Sequence, residues 1–119
     1  MAQTSLDECL AQCLETQRVC QETMAYGLAM DHGQLEPRHL QLLMDATEAA
    51  HLAGQLLLRG SDAAAAACVL CAEICEACAE ACEVLSDDIH LRACQEQCLA
   101  CAEACRRYAE LPADWPAQA

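Results

Sequence analysis

Hydrophobic positions recur at intervals of three and four residues through most of the chain, and this spacing predicts amphipathic α-helices. The spacing is most regular in CVLCAEICEACAEAC, which begins at Cys68. There every residue of the repeat is a cysteine, and alanine and glutamate, both good helix formers, fill most of the positions between them. A helix over this stretch places five thiols along one face, in the positions that form the seam of a helical bundle.

The same spacing, together with turn and capping signals, predicts where four helices begin and end. Ser5 opens a capping-box pattern, Ser61 or Asp62 can cap the third helix, Pro37 suits a first helical turn, and Gly60 suits a C-terminal cap. Four helices joined by short loops are typical of an all-α, antiparallel up-down-up-down bundle. We therefore expect helices over about residues 5–31, 37–59, 62–85 and 88–109.

The length and composition favour one domain with an interior of small side chains. A chain of 119 residues can enclose one modest core, which we assign to residues 1–110, with 111–119 as a loose C-terminal tail. The chain has no Phe, one Trp, two Tyr and twelve Cys. Because large aromatic side chains are almost absent, cysteine and alanine must fill the bundle, and the core is expected to be lined by cysteine.

Charge and the start of the chain limit the possible functions. The net charge of −13 argues against binding to nucleic acid or to an anionic membrane surface. The first residues lack the basic and apolar regions of a signal peptide, so we expect a cytoplasmic protein. Reducing conditions there keep thiols free and favour metal binding or redox chemistry over disulfides.

The candidate metal ligands begin with the cysteines, all of which fall on predicted seam positions. They are Cys9, Cys13 and Cys20 in the first helix, Cys68, Cys71, Cys75, Cys78 and Cys82 in the third, and Cys94, Cys98, Cys101 and Cys105 in the fourth. Thr16 holds a seam position between the cysteines of the first helix. The second helix has no cysteine, and its predicted inward stripe is His39, Leu43, Ala46, Ala50 and Leu57.

A second candidate constellation follows from the antiparallel topology. Met24, His39 and His90 fall at the same end of the bundle and on seam positions, and their side chains are soft or borderline metal ligands. We expect ions to enter the core at this end; the alternative interpretation is that these are three ordinary helix-end residues. His51 falls beside the inward stripe and is interpreted as a flanking residue.

Several metals bind thiolates, and the spacing alone leaves alternatives open. Zinc takes four tetrahedral ligands, so a Cys₄ site keeps two excess negative charges that are costly to bury. Iron–sulfur clusters also use four cysteines, but usually from loops or one compact motif. Cu(I) is soft and monovalent, so one ion per thiolate leaves a neutral core. An iron–sulfur or zinc redox protein, a thiol-based oxidant sensor and plain packing by small buried cysteines remain alternatives.

The segment from Cys68 to Ala109, CVLCAEICEACAEACEVLSDDIHLRACQEQCLACAEACRRYA, resembles the bacterial cysteine-rich four-helix-bundle copper-binding family, which includes the copper storage proteins. The segments EPRHLQLLMD and LLLRGSD are similar too. The resemblance implies a lumen whose cysteines bind many Cu(I) ions, a His/Met-bearing end through which copper passes, and assembly into tetramers. This chain departs from the family where cysteine is common: it has Thr16, Gly27, Ala46 and Ala50.

The residues and the resemblance together predict a cytoplasmic, non-enzymatic protein that stores several Cu(I) ions. Its expected partners are copper ions, a copper chaperone or efflux system, and further copies of itself. Because helix 2 lacks thiols, the copper load is expected on helices 3, 4 and 1. One ion per thiolate sets an upper bound of twelve ions per chain.

Overall fold

The structure, a computed structural model, describes residues 2–30 and 35–111, with side chains from residue 5 onward. These residues form four α-helices and no strand: α1 (Ala2–Ala29), α2 (Pro37–Arg59), α3 (Ala64–Glu83) and α4 (Ile89–Ala109). Helices α1 and α3 each pack against both α2 and α4. Neighbouring helices are antiparallel, since Cys9 meets Cys105 while Cys20 meets Cys98. The predicted all-α four-helix bundle with a cysteine-lined core is confirmed.

The interior is built from thiols, alanines and a few larger side chains. All of the cysteines have no exposed surface, and Tyr108, Leu43 and Leu91 are the largest of the fully buried side chains. The inward stripe predicted for α2 is confirmed, because all of its members are buried: His39, Leu43, Ala46, Ala50 and Leu57. The helices therefore enclose one column of sulfur, and α2 closes it with apolar side chains and one histidine.

Three helix ends follow directly from local sequence. Pro37 is the first residue of α2, where its fixed backbone angle suits a helix and its missing N–H costs nothing. Gly60 ends α2 in the left-handed conformation, with φ 64° and ψ 35°, which a glycine adopts without strain. Asp88 begins α4, and its side chain accepts hydrogen bonds from the backbone N–H groups of His90 and Leu91.

Two of the predicted caps are wrong. Helix α1 begins at Ala2, so Ser5 lies inside it; nothing in the preceding residues breaks a helix, and the capping-box pattern does not mark a boundary. The residue before α3 is Ala63, and no side chain caps this helix. Ser61 instead accepts a hydrogen bond from the backbone N–H of Ala63 in the turn ahead of the helix, at 3.1 Å.

Residues 31–34 and 112–119, which include most of the predicted tail, lie outside the described residues.

Asp88 also links the last turns of α1 to the start of α4. The Tyr26 hydroxyl donates a hydrogen bond to Asp88 Oδ2 at 2.5 Å, and this bond is the main reason that the pKa of Asp88 lies below its usual value. The Tyr26 ring stacks on His90, with the ring centroids 3.9 Å apart. One carboxylate therefore both caps α4 and holds this end of the bundle together.

We predict that Asp88→Ala lowers the free energy of unfolding by about 1–2 kcal/mol, because it removes a helix cap and the partner of Tyr26. Urea denaturation followed by circular dichroism measures this change. The matched control is Asp87→Ala, which removes the same charge from an exposed neighbour. Equal stabilities for the two variants would contradict the structural role of Asp88.

Candidate metal centre

Compact groups of sulfur atoms lie along the bundle axis. Within each group the Sγ atoms lie within 4.8 Å of one another, and all of the thiols are free and buried. The groups are Cys13, Cys71, Cys101 and Cys105; Cys20, Cys78, Cys94 and Cys98; and Cys9, Cys68 and Cys105. Cys105 belongs to two groups, and its Sγ lies 3.7 Å from that of Cys9 and 3.9 Å from that of Cys13. The sharing of one sulfur between groups is a feature of polynuclear thiolate sites rather than isolated ones.

Cys75 and Cys82 extend the column beyond these compact groups. The Sγ of Cys75 lies 3.9 Å from that of Cys71, one helical turn away on α3. The Sγ of Cys82 lies 3.2 Å from Nε2 of His39, so a thiol and an imidazole meet where α2 begins and α3 ends. The structure thus places all of the predicted cysteines in one continuous buried column. Their role as ligands stays a prediction.

Mutual hydrogen bonding and burial change the acidity of the thiols. Hydrogen bonds with Cys101 and Cys105, with burial as a further cause, raise the pKa of Cys71. The pKa of Cys105 is lowered instead, above all by its hydrogen bond with Cys101, because a thiolate is stabilised by neighbouring S–H groups. Burial favours the neutral thiol over the thiolate, so the thiols of the empty column hold their protons. A metal ion must displace those protons, and its affinity falls as the pH falls.

The polar side chain of Thr16 interrupts the thiols of α1. Thr16 is fully buried, and its hydroxyl accepts a hydrogen bond from Gln97 Nε2 at 3.1 Å. The same amide group donates to Gln12 Oε1 at 2.7 Å. Because its partners satisfy the hydroxyl, Thr16 separates Cys13 from Cys20 without leaving an unpaired polar group in the core.

Of the Met and His residues predicted at one end of the bundle, the structure places His39 against the thiols. His39 is only 6% exposed, and burial lowers the pKa of its imidazole, so the ring is neutral and can offer a nitrogen to a soft cation. Outside it lies a cavity of about 250 Å³. The residues that line this cavity are Glu36, Arg38, His39, Ala81, Val84 and Leu85.

His90 does not join His39 at the thiols, and the role of Met24 as a ligand stays a prediction. Met24 is half-buried and packs against the core from α1. The side chain of His90 is 55% exposed, because it stacks on Tyr26 and lies beside a separate cavity of about 160 Å³ between α1 and α4. The expectation that His90 lies on a seam position is therefore wrong, whereas its role as a ligand stays a prediction. His51 lies on the surface, as expected for a flanking residue.

The opposite end of the column is closed by an aromatic ring. Tyr108 is 1% exposed, and its pKa is raised mainly by burial and further by the neighbouring thiols of Cys68 and Cys9. The ring therefore covers the last thiols of the column. Sequence reasoning missed this residue and Gln97; the signal for Tyr108 was its position on the α4 seam, three residues after Cys105.

Positions without cysteine are occupied in ways that keep the core packed. Ala46 and Ala50 have no exposed surface and face the sulfur column from α2. A Cβ atom at Gly27 would overlap the side chain of Leu35, so this part of α1 is covered by Leu35 in place of a thiol. The sulfur atoms of the column accordingly come from three of the helices.

Comparisons with known proteins agree with this geometry. The family model described as "Csp: Copper storage protein" matches residues 2–110. A comparison with curated proteins found no match. Among solved structures, the Cu(I)-bound copper storage protein BsCsp3 of Bacillus subtilis is 28% identical, with a TM-score of 0.83 over 88% of this chain and 98% of that one.

Two further structures share the fold. A protein from Nitrosospira multiformis is 32% identical, with a TM-score of 0.82 over 90% of this chain and 96% of that chain. A cytosolic copper storage protein from Streptomyces lividans, loaded with five coppers, has a TM-score of 0.86 over 93% of this chain and 98% of that chain, at 22% identity. Since the family model spans nearly the whole chain and the cysteines form a buried column, this chain belongs to the copper storage protein family.

Proposed function

We propose that this protein binds and stores several Cu(I) ions through the thiolates of its buried cysteine column. The observation that carries the proposal is the column itself: every cysteine is free, fully buried and close to other sulfurs. Plain packing does not need this pattern, because valine or leucine would fill the same space without the risk of oxidation. The Cu(I)-bound state of the relative BsCsp3 supports the same ion for this chain.

Charge balance favours a monovalent ion. No arginine of the described residues is buried, and Arg18, Arg106 and Arg107 pair with glutamates outside the core. They do not neutralise buried thiolates, so the bound ions must. One Cu(I) per thiolate gives a neutral interior, whereas buried charge that is not balanced is costly.

Zinc is the second candidate, and the geometry gives it some support. Tetrahedral Zn–S bonds of about 2.3 Å place sulfurs about 3.8 Å apart, near the spacing inside the two four-thiol groups. Two such sites would leave Cys9, Cys68, Cys75 and Cys82 without a role. They would also bury two excess negative charges each. Zinc therefore explains only part of the column.

We propose that the protein works in the cytoplasm, where reducing conditions keep its cysteines free for metal. None of the described helices is long and apolar enough to cross a membrane.

Storage needs no catalytic step, so we propose no enzymatic activity. A copper chaperone or an efflux system would exchange ions with the store, and the acidic surface disfavours nucleic acid as a partner.

We propose further that the chain forms a homo-oligomer, with a tetramer as the expected state. The exposed apolar side chains of Leu52 and Leu70 support this, because both border a cavity of about 220 Å³ lined by α2 and α3 residues. We also propose that the bundle of residues 1–110 is the one folded domain of the chain.

Ions are proposed to enter at the His39 end and to pass inward by exchange between neighbouring ligands. His39 and Cys82 form a mixed nitrogen–sulfur pair between the outer cavity and the fully buried thiols. Met24 and His90 belong to the same end and are proposed as accessory ligands. The closed Tyr108 end makes this route the accessible one.

The double variant Cys71→Ser/Cys101→Ser tests the role of the core thiols. It removes two members of one four-thiol group but keeps their volumes, and a hydroxyl is a poor ligand for Cu(I). We expect the Cu(I) capacity, measured anaerobically against a competing chelator, to fall by about two ions, with helix content unchanged.

The control for this variant is Met44→Ser, which removes a soft but exposed sulfur, and it should keep the full capacity. An unaltered capacity in the double variant would remove the core thiols from the proposed mechanism.

The variant His39→Ala tests the proposed route. It removes the imidazole beside Cys82, so we expect slower Cu(I) uptake in stopped-flow measurements and a final capacity lowered by at most about one ion. His51→Ala is the matched control on the surface of the same helix. Met24→Leu and His90→Ala, measured in the same way, test the accessory ligands; an unchanged rate in both would exclude them from the route.

A further inference from the structure

The thiol column consists of two groups with Cys75 between them. We name as the His-end group the five cysteines nearest His39: Cys20, Cys78, Cys82, Cys94 and Cys98. We name as the Tyr-end group the six cysteines toward Tyr108: Cys9, Cys13, Cys68, Cys71, Cys101 and Cys105. None of the S···S hydrogen bonds of up to 4.0 Å found among the described residues joins these groups directly.

Cys75 interacts with both groups. Its sulfur lies 3.9 Å from that of Cys71 in the Tyr-end group. The pKa of its thiol is lowered by hydrogen bonding, first with Cys101 and then with Cys71 of that group, and next with Cys98 of the His-end group. Cys75 is absent from the compact three- and four-thiol sets, each of which lies entirely within one group. Cys75 therefore lies between the His-end group and the Tyr-end group and is not part of a compact set in either.

Helices α1 and α2 carry no cysteine at the level of Cys75 along the bundle axis. His39 lies opposite Cys82, so the residue seven positions along α2, Ala46, lies at the level of Cys75 in the antiparallel pair. On α1 the corresponding position is Thr16, whose hydroxyl is held by Gln97, the neighbour of Cys98. At the level of Cys75, therefore, neither α1 nor α2 contributes a sulfur atom. Thr16 and Ala46 occupy the positions where these helices could have carried a cysteine.

The two ends of the column differ in access. The His-end group lies next to the outer cavity, through His39 and Cys82. The Tyr-end group lies behind the buried ring of Tyr108. An ion that enters at His39 must therefore cross the level of Cys75 before it reaches the Tyr-end group.

We propose that Cys75 is the relay through which Cu(I) passes from the His-end group to the Tyr-end group, so that the store fills as two compartments in series. This inference rests on the proposed function. In the transfer, an S–Cu bond to Cys75 forms before the bond to Cys98 breaks, and the same exchange then moves the ion to Cys71 or Cys101. The copper stays Cu(I), and the proton of each newly bound thiol passes to the thiolate that was released.

The experiment follows the protection of individual cysteines over time. Reduced full-length protein is mixed anaerobically with Cu(I), alkylated at intervals with N-ethylmaleimide, and digested with trypsin. Cleavage after Arg18 and Arg38 separates Cys9 and Cys13, of the Tyr-end group, from Cys20, of the His-end group. Mass spectrometry of these two peptides then reports the filling of each compartment separately.

In the wild type we expect Cys20 to become protected before Cys9 and Cys13. In Cys75→Ala and Cys75→Ser, Cys20 should be protected at the wild-type rate, but Cys9 and Cys13 about tenfold more slowly, which corresponds to a barrier higher by about 1.4 kcal/mol. The matched control is Thr16→Ser, which changes a buried side chain at the level of Cys75 without removing a thiol or the hydroxyl that Gln97 binds, and it should not delay Cys13. Circular dichroism checks the fold, and Cys75→Ser preserves the side-chain volume.

Two outcomes would overturn the inference: protection of Cys9 and Cys13 at the wild-type rate in the Cys75 variants, or protection of these residues before Cys20 in the wild type. Either result would leave the proposed function intact. If the wild type takes up no Cu(I), the proposed function itself fails. The two failures are therefore distinguishable in one series of samples.

Discussion

The contact between buried thiols is the interaction on which this bundle depends. Three helices meet through cysteine, and a neutral thiol is a small, weakly polar side chain that can be buried at little cost. A thiolate in the same place is costly unless a cation or several S–H groups balance its charge. The empty column is therefore stable as thiols, and a filled one is stable as neutral metal thiolate.

This constraint explains the arrangement of the other residues. Arg18, Arg106 and Arg107 form ion pairs on the surface, and α2 closes the column with alanine. Among the described residues no Asp, Glu or Arg is buried, so no such charge competes with bound ions. On α1, Thr16 interrupts the cysteines of the seam, and Gln97 donates a hydrogen bond to its hydroxyl. The two ends are unlike: His39 meets Cys82 beside a cavity, whereas Tyr108 covers the last sulfurs. Among the described residues, the end beside His39 is therefore the more open one.

The sequence was sufficient for the fold and for the buried column, because cysteine at three- and four-residue spacing determines both the helix and its inward face. Local capping was less predictable: the pattern at Ser5 lies inside α1, since nothing before it stops the helix. The seam rule also failed for His90, which lies in the first turn of α4, where stacking on Tyr26 holds the ring outside. The separation by Thr16 and the bridging position of Cys75 depend on contacts between helices, which spacing along one helix cannot show.

The most direct test of the account is an anaerobic titration of the fully reduced wild-type protein with Cu(I) against a competing chelator, with the free thiols counted in parallel. We expect tight uptake of several equivalents, up to about one per thiolate, and the thiols should become protected as the ions bind. Uptake of one equivalent or none, or thiols that stay reactive in the loaded protein, would contradict storage by the cysteine column.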